Sequence, residues 1–136
     1  MNKNQYLKAY RKNAITSASP LQLVIMLYDG AIKNIEAGKN AMQKDDYFNQ
    51  NKHLLKAQDI VNELTSAIDI EKGGEISTNL LSLYDFIFNS LVQSNIQDDP
   101  RPLDDCINIL SQLRESWSEL EKTQQQTPTA EEEAIA

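Results

Sequence analysis

The feature that most constrains this chain is the spacing of its apolar residues, which recur every three or four positions in four separate segments. This spacing places apolar side chains along one side of an α-helix. The chain has only 4 glycines and 4 prolines in 136 residues, and they fall mostly between these segments. Glycine and proline in those positions separate one helix from the next and leave the helix interiors intact. The pattern therefore predicts an all-α protein, and the length predicts one domain.

The clearest helix start is at Ser19, which is followed by Pro20 and then by Gln22. A serine N-cap, a proline at the first helical position and a glutamine at the third form a capping box. The apolar stripe that follows predicts a helix of about 20 residues that ends near Gly38 or Asn40. Its members are Leu21, Val24, Tyr28, Ile32 and Ile35.

Three further helices are predicted by the same criteria. Asp45 or Asp46 can cap the second helix, in which apolar residues recur every seven positions at Tyr47, Leu54, Val61 and Ile68. The Gly73-Gly74 pair then breaks the pattern before a third stripe formed by Ile76, Leu80, Leu83, Ile87 and Leu91. After residues 98–102, a fourth stripe runs through Leu103, Cys106, Ile107, Leu110, Leu113, Trp117 and Leu120.

Four amphipathic helices joined by short turns can bury their stripes only against one another, which predicts an antiparallel four-helix bundle. Within residues 1–122, the helical spacing of Tyr6, Leu7 and Tyr10 predicts a short N-terminal capping helix at residues 4–12. Residues 123–136 have no apolar stripe and include three consecutive glutamates. They are predicted to form a disordered, acidic C-terminal tail.

Charge and hydropathy exclude several classes of function. The formal net charge of −7 argues against binding to nucleic acid, because phosphate groups would be repelled. The longest fully apolar run, Leu23 to Tyr28, has 6 residues, whereas a membrane-spanning helix needs about 20. The basic N-terminus is not followed by the apolar region of a secretory signal. We therefore expect a cytoplasmic protein without membrane insertion.

The residues that carry chemistry suggest neither an enzyme nor a cofactor site. The chain has one cysteine and one histidine, too few for a zinc cluster of these residue types. Cys106 falls on an apolar stripe and is expected in the core, whereas His53 lies beside Lys52 and Lys56 and is expected at the surface. The glycine pair lacks the spacing and the lysine of a phosphate-binding loop. No catalytic group, metal or cofactor is expected.

The first predicted helix has more apolar surface than one bundle seam can bury. Leucine, valine, isoleucine and methionine side chains at residues 21 and 23–27 cover every side of its first two turns. This protein's own N-terminal segment could cover the excess, or another chain could. A weakly held N-terminal segment could also cover this surface until a longer amphipathic partner displaces it.

Over residues 5–120 the chain resembles the FliS family of flagellar export chaperones, the cytoplasmic chaperones of flagellin. The resemblance rests on short motifs distributed along the chain: Lys8-Ala9-Tyr10, Ser17-Ala18-Ser19-Pro20, Leu27-Tyr28-Asp29-Gly30-Ala31, Lys56-Ala57-Gln58-Asp59-Ile60, Gly73-Gly74-Glu75-Ile76, Asn79-Leu80, Leu83-Tyr84-Asp85 and Trp117. Two positions depart from the family pattern, because Ser94-Asn95 stands where Ala-Asn is common and Phe86 replaces a frequent tyrosine. These changes are expected to affect packing without changing function.

The resemblance implies a four-helix bundle with an N-terminal capping helix. It also implies two partners, the disordered C-terminal region of flagellin and a component of the flagellar export gate. By the same resemblance, Leu7 and Tyr10 are expected to affect flagellin binding, although plain helix capping is an equally good reading of both.

The apolar stripes add five candidate binding residues, each of which could instead be ordinary core: Ile60, Leu64, Leu80, Tyr84 and Ile87. The free protein is expected to be a monomer or a weak homodimer. A constitutive helical scaffold that buries the same surface in a homodimer is the alternative function.

Overall fold

The computed structural model describes residues 19–123 and Ala134, and over these ranges the chain is helical without a strand. The all-α prediction is therefore confirmed. Residues 19–123 contain five helices: α1 (Pro20–Gln43), α2 (Tyr47–Ser66), α3 (Ile70–Gly73), α4 (Glu75–Gln97) and α5 (Arg101–Lys122).

The four long helices form an antiparallel bundle in which α1 packs against α2 and α5, and α4 closes the ring by packing against both of those helices. Contacts across two of the seams give the direction. Lys39 and Asp29 on α1 bond to Asp104 and Arg114 on α5, so residue numbers rise on one helix as they fall on the other. The start of α2 meets the end of α4 through Gln50 and Asn95 in the same way. The predicted four-helix bundle is confirmed.

The core consists of the buried stripe residues of all four helices. The fully buried side chains of largest volume are Tyr28, Tyr84, Leu21, Ile35, Leu54, Leu64, Ile87, Leu91, Leu103, Leu110, Val61 and Cys106. Burial of this apolar area is the main favourable contribution to folding. Cys106 therefore lies in the core, as predicted.

Two of the predicted helix starts are present as capped N-termini. At α1, the Ser19 hydroxyl accepts from the Gln22 amide at 3.1 Å, and the Gln22 side chain accepts from the Ser19 amide at 2.9 Å. At α2, the cap is Asp46, whose carboxylate accepts from the Asn49 amide at 3.2 Å. These bonds satisfy amide groups that have no partner inside the helix.

The predicted end of the first helix near Gly38 or Asn40 is wrong, because α1 continues to Gln43. Gly38 is buried inside the helix, and a Cβ atom added there would lie 2.6 Å from Cδ2 of Leu54. The glycine therefore allows close approach of α1 and α2 and does not terminate a helix.

The predicted terminal segments lie largely outside the described residues. This applies to the N-terminal capping helix at residues 4–12 and to most of the tail at residues 123–136. Within the tail, Thr123 caps α5, and Ala134 is fully buried. The burial of Ala134 differs from the solvated tail predicted for that position.

Candidate functional site

An apolar groove of about 610 Å³ lies between the first half of α4 and the second half of α5. The first half of α4 contributes Ile76, Asn79, Leu80 and Leu83; the second half of α5 and the residue after it contribute Leu113, Ser116, Trp117, Glu119, Leu120 and Thr123. The groove is at the end of the bundle where α1 begins, since Arg114 on α5 bonds to Asp29 in the first half of α1 and the groove residues of α5 lie mostly beyond Arg114.

The groove exists because α4 and α5 are the least closely packed of the four neighbouring pairs of long helices. Ile76, Leu83, Leu113 and Leu120 are only half-buried, although each lies on the apolar side of its helix. Half-buried leucine and isoleucine side chains gain free energy when a further apolar surface covers them. The groove is thus a surface that can accept apolar side chains.

Three buried aromatic residues, Tyr28, Tyr84 and Trp117, lie beneath the groove, and each carries a polar hydroxyl or indole N–H group. The hydroxyl oxygens of Tyr28 and Tyr84 are 2.5 Å apart, and Trp117 is 3% exposed. Burial raises the pKa of Tyr28, while the neighbouring Tyr84 hydroxyl and the Trp117 indole lower it in part. Burial also raises the pKa of Tyr84. The cluster therefore stays neutral and forms a rigid floor.

The groove wall has little charge. Glu119 is the single titratable residue among those that line it, and Asn79, Ser116 and Thr123 supply neutral polar groups. The nearby Arg114 is engaged by Asp29 at 2.7 Å, and this carboxylate raises the pKa of the guanidinium. Such a surface can bind an apolar segment and hydrogen-bond its polar edge. The lining residues do not form a nucleophile, base or metal-ligand set.

The structure separates the five candidate residues of the helical stripes. Leu80 lines the groove, and Ile60 is half-buried at the seam of α1 and α2, where a Cβ added at Gly30 would lie 3.3 Å from its Cδ1. Leu64, Tyr84 and Ile87 are between 0% and 2% exposed, so contact with a partner would require the helices to separate. Leu7 and Tyr10 lie outside the described residues.

The spacing of apolar residues alone does not mark most of the groove residues as binding residues. Ile76, Leu83, Leu113, Trp117 and Leu120 were assigned to stripes only. One signal could have found them: in an antiparallel bundle, the start of the third stripe faces the end of the fourth, and the fourth stripe carries the late Trp117 there.

The remaining chemistry-bearing residues are occupied in ordinary structural roles. The Cys106 sulfur lies 3.8 Å from the Ile87 carbonyl oxygen, and burial raises the pKa of the thiol to about 11. His53 is half-buried, with Nδ1 3.1 Å from the Asn34 side-chain oxygen. In residues 19–123 and Ala134, no three acidic, histidine or cysteine side chains come together as metal ligands.

The helices of the described ranges are not both long and apolar enough to cross a membrane. The fold and the groove together define a class of protein: a small all-α bundle with an open apolar surface suited to another polypeptide segment.

Sequence comparison places the chain within this class. The family model described as flagellar protein FliS matches residues 2–124, and the chain belongs to that family. Proteins named flagellar secretion chaperone FliS are similar over most of its length. The Vibrio cholerae protein is 40% identical over 118 residues, which cover 84% of this chain and 87% of the relative. The Salmonella typhimurium protein is 36% identical, with 84% and 88% covered. The Bacillus subtilis protein is 32% identical, with 82% of both chains covered.

Proposed function

We propose that this protein is a cytoplasmic export chaperone that binds the disordered C-terminal region of flagellin. In this role it prevents premature polymerisation of flagellin and delivers it to a component of the flagellar type III export gate. Family membership and the names of the relatives support the chaperone role. The observation that carries the binding proposal is the apolar groove between α4 and α5.

The apolar lining of the groove suits the apolar face of an amphipathic helix of the partner. Two helices form its walls, and half-buried leucine and isoleucine side chains lie along both. A helix that enters such a groove places apolar residues from successive turns against these walls and keeps its polar face in water. A disordered segment that folds on binding must offset its ordering entropy by burying apolar area.

Apolar surface is not confined to the groove. Large apolar side chains are exposed elsewhere on the bundle: Met26 at 45%, Tyr47 at 58%, Phe48 at 79%, Leu55 at 45%, Ile70 at 58%, Phe86 at 50% and Ile96 at 70%. A long partner segment can extend from the groove over such residues. This distribution fits an extended partner better than a small ligand.

The candidate residues have different parts in this proposal. Leu80 contacts the bound segment directly, because it lines the groove. Leu64, Tyr84 and Ile87 act through the core that shapes it, and Ile60 contributes at the α1–α2 seam. Leu7 and Tyr10 affect binding from the N-terminal segment. Replacing Tyr10 with alanine should alter affinity for flagellin while the bundle retains its cooperative thermal transition.

The decisive experiment is calorimetric titration of the purified protein with a peptide from the C-terminal region of flagellin. One-to-one binding with a strongly negative heat-capacity change is expected, since apolar surface is buried. Leu120→Asp places a charge on the groove wall and should weaken binding at least about tenfold, or about 1.4 kcal/mol. Gln97→Asp, at an exposed position at the far end of α4, is the matched control for added charge and should stay within about twofold, or roughly 0.4 kcal/mol.

Leu83→Asp, on the opposite wall of the groove, is a second test variant in case Leu120→Asp does not fold. Both variants must show the helical circular dichroism of the parent chain. Equal binding by folded groove variants and the parent would reject the groove as the site. Absence of binding by the folded parent, together with a mass near twice 15.4 kDa at micromolar concentration, would favour the homodimeric scaffold.

A further inference from the structure

Ala134, near the C-terminus, packs against Gly73 at the end of α3, where α4 begins. It is 0% exposed and belongs to the apolar core cluster. Its carbonyl oxygen accepts a hydrogen bond of 2.7 Å from the Asp69 amide, in the loop between α2 and α3. A residue so far along the chain is therefore held by both apolar burial and a main-chain bond.

The pocket that receives Ala134 is formed by small side chains and main-chain atoms. A Cβ atom added at Gly73 would lie 2.5 Å from the Ala134 Cβ and would also collide with the Ser77 hydroxyl. Ser77 is fully buried, and its hydroxyl donates to the Asp69 carbonyl at 2.9 Å. The absent side chain at residue 73 thus creates the space that Ala134 fills.

We infer that the pocket formed by Asp69, Gly73 and Ser77 is an intramolecular docking site for the C-terminal end of this chain, with Ala134 as the anchoring residue. This site is separate from the groove between α4 and α5, and its occupation requires no partner. It is therefore independent of the proposed function.

Two properties of the sequence identify this chain's own C-terminus as the occupant. Residues 131–133 are all glutamate, and the chain then ends with the apolar sequence Ala134-Ile135-Ala136. The eleven residue steps from Thr123 to Ala134 (134 − 123) reach at most about 40 Å when extended. The end of α5 and the start of α4 lie at the same end of the bundle, where both line the groove, so a tether of that length can reach the pocket.

Docking has a local structural consequence. It satisfies the Asp69 amide, which precedes the single-turn helix α3, and it fills the space beside Gly73, four residues before Ser77 in the first turn of α4. Ile76, the neighbour of Ser77, lines the groove. The C-terminal end of the chain therefore holds in place the segment from which one wall of the groove begins.

Amide hydrogen exchange of the full-length protein, measured residue by residue by NMR, tests this inference. Removal of residues 134–136 should accelerate exchange of the Asp69 amide at least about tenfold, because its acceptor is lost. Ala134→Arg should have the same effect, since an unpaired charge cannot occupy a fully buried site. Ala130→Arg is the matched control for added charge in the same region and should leave the Asp69 rate unchanged.

The amide of Leu54, a fully buried residue inside α2, reports global unfolding in the same spectra. An equal Asp69 rate in the parent, the truncated chain and Ala134→Arg would overturn the inference. Loss of Asp69 protection on dilution of the parent would overturn the intramolecular assignment, because the occupant would then come from a second copy. If truncation also accelerates Leu54 exchange, a peptide of residues 123–136 must restore Asp69 protection, or the inference fails.

Discussion

The hydroxyl oxygens of Tyr28 on α1 and Tyr84 on α4 are 2.5 Å apart, with ring centroids 6.3 Å apart and ring planes inclined by 57°. α1 and α4 are diagonal in the bundle, so this hydrogen bond crosses the core and links helices that share no seam. Tyr28 is 0% exposed and Tyr84 is 1% exposed. Each hydroxyl is therefore the other's replacement for water.

Removing one hydroxyl of this pair should cost more than removing both. Tyr84→Phe leaves the Tyr28 hydroxyl buried without its partner, and the free energy of unfolding should fall by about 1–3 kcal/mol. The double variant Tyr28→Phe/Tyr84→Phe should recover part of this loss. Urea unfolding of the three proteins measures the difference, with Tyr47→Phe, on a 58% exposed residue, as the control. A double variant less stable than Tyr84→Phe would contradict the pairing.

Two glycines of α1 should respond differently to alanine. At Gly38 the new methyl group would lie 2.6 Å from Leu54 Cδ2 in a buried seam, so Gly38→Ala should destabilise by about 1–3 kcal/mol. At Gly30 the nearest atom is the end of the Ile60 side chain at 3.3 Å. Helix propensity there favours alanine by up to about 1 kcal/mol, so Gly30→Ala should be neutral or stabilising. Thermal unfolding of both variants compares them directly, and equal losses would contradict this account.

The buried thiol of Cys106 should be unreactive in the native protein. Burial raises its pKa to about 11, so at about pH 8 little thiolate forms, and the sulfur is not accessible. The pKa of the Cys106 thiol is higher in the folded than in the unfolded protein, where it is about 8.5. The free energy of unfolding should therefore fall as the pH rises above about 8.5, because only the unfolded chain then loses the thiol proton. Labelling with a thiol-specific disulfide reagent should be slow in buffer and fast in guanidinium. Fast labelling in buffer would show that the site opens readily.

The N-cap of α2 should make part of the stability depend on acid pH. Hydrogen bonds from the Asn49 side chain and amide lower the pKa of Asp46. A carboxylate with a lowered pKa stabilises the fold above its unfolded value of about 3.9, and the contribution is lost as the pH falls through the folded value. Asp46→Asn keeps a neutral cap and should flatten this part of the pH profile. Thermal unfolding between about pH 3 and 7 measures the effect, and an unchanged profile would contradict it.

Local signals along the chain predicted most of the fold. Ser19 and Gln22 predicted the start of α1 because a capping box depends on residues three positions apart. Gly38 predicted a helix end that the structure does not have, since a glycine that ends a helix and one that admits a neighbouring helix look alike in sequence. Helix α3 was not predicted, because four residues are too few to show a helical period.

The candidate site was harder to predict because it depends on how tightly two helices approach. Leu80 and Tyr84 belong to the same apolar stripe, yet Leu80 lines the groove and Tyr84 is part of its floor. Spacing identifies the apolar side of a helix and does not measure the gap to its neighbour. The contribution of Leu113 and Leu120 follows only from the loose packing of α4 against α5.

The position of the groove makes the two ends of the bundle different from each other. The groove and the start of α1 share one end, and the turns that join α1 to α2 and α4 to α5 occupy the other. Since α4 has 23 residues, these ends are about 35 Å apart. A fluorophore or surface-attachment tag on the exposed Lys44 turn would therefore leave the groove unobstructed. It would also stand at a distance well suited to energy-transfer measurements on a labelled segment as it arrives.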